Sequence, residues 1–390
     1  MAMHFKSEYR RALPSIALLP LLFADMASVW VGCAVPALFL VSSLLSNIPA
    51  RILKRAPASA LSGGRPSQGI FSRLQYLFAL PSVAPARTQA AGPARVSLYT
   101  CLAHSRPGVS RLAKRIKLTA RGMLHYQVTQ HWLSYWNTTP MRAQLAAATP
   151  RLLQKIYRPY QSLRLQNRRE RLNLLVNHYD FIYQQGLAPL VLRASAAPVS
   201  LGGFSGKSGT VYEIRLASVA TLDREGELTL MLCCDRQLLF SIAFTFHRDS
   251  SMPCIGIGCL QGPRGSDTQE LVRRATRDMF GLRPKSLMLR LVREIGQAYG
   301  CKKLILVGNQ NRVLFHQVRT GQVLANYNDF WQEVGASVRP DGDYQLCCDE
   351  IPRPDLANVP SHKRAEARRR IELTDKAIQA TLTGFSGHPL

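Results

Sequence analysis

Acidic side chains are few in this sequence. Of 390 residues, 24 are Asp or Glu against 50 Lys or Arg, which leaves a net charge of +26. Also missing are the spacings that announce a known chemistry. None of the nine cysteines stands in a CxxC pair, so a zinc site or a disulfide framework has no spacing support. There is no HExxH, and no Ser/His/Asp or Cys/His set has a spacing that demands nucleophilic catalysis. His178, His247 and His316 stand alone, as structural hydrogen-bonding histidines do more often than ligands. The nearest approach to a phosphate-binding loop is Leu201–Gly209, LGGFSGKSG, and it fails twice. The pattern GxxxxGKS/T needs glycine where Leu201 stands. A P-loop also opens a helix, whereas TVYEIRLASV behind this one alternates like a strand. The stretch reads as a flexible turn leading into a sheet.

What is present is an ordinary globular composition with an unusual charge. Hydrophobic residues make up 46% and charged residues 19%. The length suits one large domain or two ordinary ones. The positive excess lies mainly in the first half: residues 111–185 hold 13 basic and 2 acidic side chains. Such a surface attracts polyanions, whether nucleic acid, anionic lipid headgroups or lipopolysaccharide. Nucleic acid is disfavoured, because no recognised motif or aromatic-basic interleaving accompanies the charge. The vicinal cysteines Cys233–Cys234 and Cys347–Cys348 fall in apolar, strand-like stretches. In a strand, neighbours point to opposite faces, so Cys233 and Cys234 do not share a metal. They read as small buried hydrophobes in a reducing compartment.

Three zones follow along the chain. Residues 1–55 form an apolar, membrane-associating candidate: Met26–Leu45 is 20 uncharged, mostly apolar residues, long enough to span a bilayer. Lys6, Arg10 and Arg11 precede the apolar region and Arg51, Lys54 and Arg55 follow it, which sets no orientation. A signal peptide and a leader upstream of the true start stay open as alternatives. The localisation expected is cytoplasmic, with inner-membrane association through residues 12–50. Residues 56–109, rich in Pro, Ser, Gly, Ala and Arg, read as a flexible basic linker. Residues 110–385 read as one domain, helical over 110–185 and mixed α/β over 210–385.

Within that domain Leu112, Ile116, Thr119 and Met123 keep helical spacing among Arg111, Lys114, Arg115, Lys117 and Arg121. A short helix is expected around Leu152–Tyr157 and a longer one over Arg164–Gln184. The basic helical face is either plain solvated surface or a contact for an anionic surface. Strands are expected at Val211–Leu216, Leu228–Cys233, Leu238–Phe246 and Cys254–Leu260, antiparallel to one another, with a hairpin connection near Arg224-Glu225-Gly226. A helix from Ser266 or Asp267, with Glu270 completing a D-x-x-E capping box, ends at Gly281. A second runs from Pro284 to Tyr299. Leu304–Val307 then fits a strand buried on both faces, parallel to Cys254–Leu260 through a right-handed crossover. A last basic helix starts after Pro360 with Ser361 as its N-cap. The fold class is therefore α+β: a basic helical N-terminal part on a mixed, mainly antiparallel sheet with one βαβ crossover.

Two stretches are candidates for ligand contact. In Ile255–Glu270, IGIGCLQGPRGSDTQE, a strand ends in a Gly-rich turn before a helix; Gln261, Gly262, Arg264 and Gly265 are placed to meet an anion. The order of elements resembles, at fold level, the diphosphate-binding turn of acyl-CoA-dependent N-acyltransferases. Asp267 and Glu270 compete with phosphate for that helix end, and the N-acyltransferase Q/R-x-x-G-x-G/A pattern is not cleanly present. Beyond the buried strand, Asn309, Asn311, His316, Tyr327 and Trp331 collect where ligand sites favour the C-terminal end of a parallel strand. No cofactor motif or metal cluster is evident; acyl-CoA enters only with an acyltransferase reading.

Several short pieces stand in a specific order. They are Arg158-Pro159-Tyr160, His178-Tyr179, Phe244-Thr245-Phe246, Gly258-Cys259-Leu260-Gln261-Gly262 and Gly281-Leu282-Arg283-Pro284-Lys285. Then come Asn309, Asn326-Tyr327-Asn328-Asp329-Phe330-Trp331, Asp341-Gly342 and Pro360-Ser361-His362-Lys363-Arg364. On these the chain, from about Leu112 to Phe385, resembles the VirK/YbjX family of bacterial proteins. The resemblance implies an association with virulence, envelope remodelling and resistance to cationic antimicrobial peptides; the basic helices point to anionic membrane or envelope components as partners. It supplies no catalytic residues. The expected function is an envelope- and virulence-associated protein of that type; the alternative is an acyl-CoA-dependent acyltransferase-like enzyme with its site between Gly258–Gly265 and Asn309–His316.

Overall fold

The computed structural model describes residues 95–103, 107–149, 151–218, 222–262, 268–313, 326–349, 351 and 355–387. The 1–55 segment, residues 56–94, Arg264, Gly265, the capping box at Ser266 or Asp267, and His316 lie outside them. No helix among the described residues is long and apolar enough to cross a membrane.

The first layer is helical. It comprises α1 (Val109–Leu124), α2 (Tyr126–Trp136), α3 (Pro140–Ala148), α4 (Arg168–Gln184) and α5 (Ala188–Ala196). Leu152–Tyr157 is a 3-10 turn. Two starts follow directly from local chemistry. Thr139 Oγ1 accepts the Arg142 N–H ahead of Pro140, and Asn167 Oδ1 accepts the Arg169 N–H. Asn167 thereby places the start of α4 at Arg168, one turn later than the apolar period alone suggests. The buried Trp136 ring meets Tyr179 edge-on at 4.7 Å, which locks α2 to α4. Core packing also begins inside the stretch read as linker: Val96, Leu98 and Leu102 are buried against the helices.

The second layer is one sheet of eight strands in the order β1-β2-β3-β4-β5-β6-β8-β7. The strands are β1 (Val199–Ser205), β2 (Val211–Ser218), β3 (Leu228–Cys234), β4 (Gln237–Asp249), β5 (Met252–Gln261), β6 (Lys303–Leu306), β7 (Ser337–Val338) and β8 (Tyr344–Cys347). Among the described strands only β5 and β6 pair in parallel, from Cys254↔Lys303 to Ile257↔Leu306. Between them run α6 (Thr268–Asp278) and α7 (Pro284–Ala298), which complete the expected crossover. Leu287, Leu291, Val292 and Ile295 of α7 are fully buried and fuse both layers into one core. α8 (Tyr327–Glu333) follows β6, and α9 (Ser361–Ser386) closes the chain against β1. The protein is α+β, as the sequence implies.

Two local expectations change. Ser361 is the first residue of α9, and Pro360 holds the cap position without a side-chain bond. LGGFSGKSG is mostly strand: Leu201–Ser205 belongs to β1, and only the following residues turn into β2. The backbone N–H groups that imitate a phosphate cradle are already used. Ser208 N–H donates to Asp278 Oδ1 at 2.7 Å, and Lys207 N–H to the Asp278 carbonyl at 2.9 Å. The anion held by this loop is the protein's own carboxylate.

Candidate functional site

Many residues that carry the family resemblance turn inward. Lys155, from the 3-10 turn, reaches Glu227 next to the start of β3, with Nζ 2.5 Å from Oε1 and exposures of 4% and 1%. Tyr179 donates to Glu227 Oε2 at 2.5 Å, and Tyr160 and Thr245 share a hydroxyl bond at 3.1 Å. Thr245 Oγ1 also accepts the Glu227 N–H at 3.2 Å. His178 Nδ1 accepts the Phe246 N–H at 3.2 Å, so the ring is neutral with its proton on Nε2. Burial, reinforced by the Lys155 charge, holds His178 well below the ordinary imidazole value. Burial next to the Glu227 carboxylate pushes the Tyr160 and Tyr179 hydroxyls upward. This network satisfies charge inside the core, and its chemistry is architectural.

A second polar group lies where three segments cross the parallel pair. Gln161, held at φ 57° by its N–H bond to the Arg224 carbonyl, joins Ser162, Arg164, His247 and Asp343. With Ile257, Ile305 and Val307 they line a narrow crevice of about 20 Å³. Asp343 is buried and accepts the Gly308 N–H and the Asn311 amide, each at 2.9 Å, with Arg164 Nε 3.6 Å away. Burial raises its pKa in spite of those donors. The buried Gln161 Oε1 has no hydrogen-bond partner among the described residues. Cys254 Sγ lies 3.5 Å from His247 Nδ1, which looks like a nucleophile beside its base. The electrostatics are the opposite of activation. Burial lowers His247 to about 4 and pushes the Cys254 thiol far up, so both stay neutral.

The candidate ligand residues divide between two places. Tyr327 is an anchor. Its hydroxyl lies 2.9 Å from both the N–H and the carbonyl of Leu260, and its own N–H donates to Asn309 Oδ1 at 2.9 Å. Trp331 Nε1 donates to the Val307 carbonyl at 2.9 Å. Asn309, Tyr327 and Trp331 therefore fasten α8 into the wedge where β5 runs on past the end of β6. Asn311 belongs instead to the Asp343 crevice. The Gln261 carbonyl faces Ser241 Oγ at 3.4 Å, and Gly262 lies against Phe240. Sequence reasoning missed Gln161, Ser162, Arg164 and Asp343. Their signal is adjacency: they border Tyr160 and Asp341-Gly342, the pieces that carry the resemblance. Among the described residues, no group of three or more His, Cys, Asp or Glu is placed to hold a metal. The eight described cysteines are free, and all but Cys347 are buried.

The basic helix α1 is unlike an ordinary surface helix. Leu118 and Gly122 face the protein, and Arg115 lies over the Tyr99 ring at 4.5 Å. On the outer face stand Val109, Ala113, Ile116, Ala120 and Leu124, all exposed, at steps of four and three residues. Val109 is 85% and Leu124 76% exposed, where a solvated face would carry polar side chains. Lys114, Lys117 and Arg121 lie along one side of this apolar stripe.

Comparisons with known proteins agree with the residues quoted above. Residues 107–383 match the family described as "Protein of unknown function (DUF535)". The chain is 28% identical over 301 residues to "Uncharacterized protein YbjX" of Escherichia coli strain K12, covering 75% of this chain and 91% of that one. An "Uncharacterized protein" of Haemophilus influenzae is 26% identical over 142 residues, 36% of this chain and 47% of the relative, so that match spans about half the relative's length. Among solved structures, a cAMP-binding acyltransferase from Mycobacterium smegmatis matches 55% of this chain and 63% of its own at 11% identity and a TM-score of 0.22. A likeness of that size carries no argument about fold or activity.

Proposed function

Because the chain belongs to the DUF535 family, the VirK/YbjX proteins, we propose that it works at the bacterial envelope by docking on an anionic membrane surface through α1. The observation that carries this reading is the exposed apolar stripe of α1 with Lys114, Lys117 and Arg121 beside it. A helix of that kind lies in a membrane interface, its apolar side chains in the acyl boundary and its cations on the headgroups. Burying an exposed Val, Ile or Leu contributes about 1.5–3 kcal/mol, and each basic residue near an anionic leaflet about 1 kcal/mol. On this reading the protein sits on the cytoplasmic face of the inner membrane. It contributes there to envelope remodelling, virulence and resistance to cationic antimicrobial peptides. Flotation with vesicles tests it. The full chain should float with vesicles containing anionic lipid and stay behind with neutral ones. Ile116→Glu and Leu124→Glu should each lower the bound fraction about tenfold while leaving the melting temperature unchanged. Equal flotation with neutral vesicles, or full binding by both variants, refutes the α1 contact.

The alternative, an acyl-CoA-dependent acyltransferase, draws support from one feature. The parallel strands part beyond Ile257 and Val307, and open α/β sheets place ligands outside the carboxyl ends of such strands. Acyl-CoA at saturation should then raise the melting temperature. An unchanged melting temperature rejects this alternative without touching the first.

A further inference from the structure

A groove opens between α6 and α7 beside β4. Its floor is apolar, formed by Phe240, Val272, Pro284 and the Thr276 side chain. Its rim is cationic: Arg273, Arg277, Arg283 and Lys285. The space amounts to about 370 Å³ and is open to solvent at the mouth. That lies within the range of about 300–1,000 Å³ that small-molecule sites occupy.

Among the described residues, two carboxylates answer these four cations. Glu270 lies 3.9 Å from Arg273 and 3.3 Å from Arg277. Glu333 pairs with Arg283 and lies 3.7 Å from Lys285. The rim keeps a positive excess even with every pair made. The first turn of α7 adds to it. Arg283, at the cap position, makes no side-chain cap bond, and no acidic residue stands in that turn. Lys285 Nζ lies over the Phe330 ring at 4.3 Å, and burial, with Arg283 adding to it, lowers its pKa. A nearby anion would relieve that penalty. Much of the resemblance is spent inside the core, on Tyr160, His178, Tyr179 and Thr245. Arg283 and Lys285, in Gly281–Lys285, stay at the surface around this groove.

We propose that the groove between α6 and α7 binds a single-chain amphiphile with an anionic headgroup. The chain lies on Phe240, Val272 and Pro284, and the headgroup meets Arg283, Lys285 and the first turn of α7. A small inorganic anion would leave the apolar floor wet, and a neutral chain would leave the cation excess unanswered. The site is separate from α1 and does not depend on membrane docking.

Calorimetric titration of the full chain tests this with dodecyl phosphate below its micelle-forming concentration. Dodecyl glucoside and inorganic phosphate form the comparison arms. Dodecyl phosphate should bind at least about tenfold more tightly than either. Val272→Trp, which fills the floor, should abolish binding. Arg283→Gln combined with Lys285→Gln should weaken dodecyl phosphate about tenfold and leave the glucoside unaffected, a readout independent of floor packing. Ile116→Glu should bind dodecyl phosphate as the unaltered chain does, so loss of membrane docking and loss of this site are read separately. Equal affinity for the glucoside or for inorganic phosphate overturns the proposal. So does unchanged binding by the rim variant.

Discussion

Lys155 and Glu227 carry opposite charges into a core that excludes water, and their worth depends on each other. Removing one ion from water costs several kcal/mol, which only close pairing and further hydrogen bonds offset. Here the pair lies at 2.5 Å, and Tyr179 occupies the second carboxylate oxygen. Lys155→Met or Glu227→Gln alone should therefore destabilise the protein by about 3–5 kcal/mol, because each leaves the other partner uncompensated. The double substitution should cost clearly less than the sum of the two, as read by urea unfolding midpoints at constant slope. Strict additivity would show that the two charges are not coupled. The exposed pair Lys302–Asp349, at 3.3 Å, offers a contrast: breaking it should cost under about 1 kcal/mol. None of this is visible along the chain. Lys155 reads as one more cation in a basic helical region, and Glu227 stands 72 positions away. A periodic pattern reports which side of an element is apolar, and it is silent on a charge whose partner arrives from another layer.

Secondary structure was legible where a period had room to repeat. β2 through β5 run seven to thirteen residues, and β6 lies on the apolar run Leu304–Val307, bounded by Lys302-Lys303 before it and Gly308 after it. β7 and β8, with two and four residues, are too short to show one. β1 was missed for a different reason: Gly202 and Gly203 read as loop residues. Their true role is packing. A Cβ on Gly202 would lie 3.0 Å from the Ala380 Cβ, and one on Gly384 would lie 2.2 Å from the Leu201 carbonyl oxygen. Backbone of α9 therefore rests on backbone of β1, and glycine on both sides permits it. Gly384→Ala should push the helix away from the edge strand and cost about 1–3 kcal/mol. That corresponds to a melting temperature lower by roughly 2–5 °C for a domain of this size. An unaltered melting temperature would mean that the α9–β1 contact contributes nothing to stability. Protection of the β1 amides against hydrogen exchange should fall at the same time, because α9 covers that strand.

At the scale of the molecule, charge and apolar surface are separated from the places where the motifs point. Asn309, Tyr327 and Trp331 were recognisable as a group, and the fold does gather them, as the fastening of α8 beneath the strand ends. The crevice around Asp343 was not recognisable, since it joins segments as far apart as Gln161 and Asp343; the groove around Lys285 comes from residues 272–285 with Phe240, and only the packing of α6 against α7 opens it. What survives from composition alone is the positive excess of +26, and α1 carries part of it beside an exposed apolar stripe. These two contributions to membrane docking respond differently to salt. Between about 0.1 M and about 1 M ionic strength the Debye length contracts from about 10 Å to about 3 Å, which screens headgroup attraction while apolar insertion persists. Flotation on anionic vesicles should therefore weaken about tenfold or more over that range, leaving a residual binding that Leu124→Glu removes. The melting temperature of the free protein should change little, because its buried ion pair at Lys155 and Glu227 is shielded from the solvent ions. Salt-independent flotation would place the contact on apolar surface alone. Complete loss at high salt would place it on the cations alone. Either result rejects the joint action of stripe and flank on which the α1 contact rests.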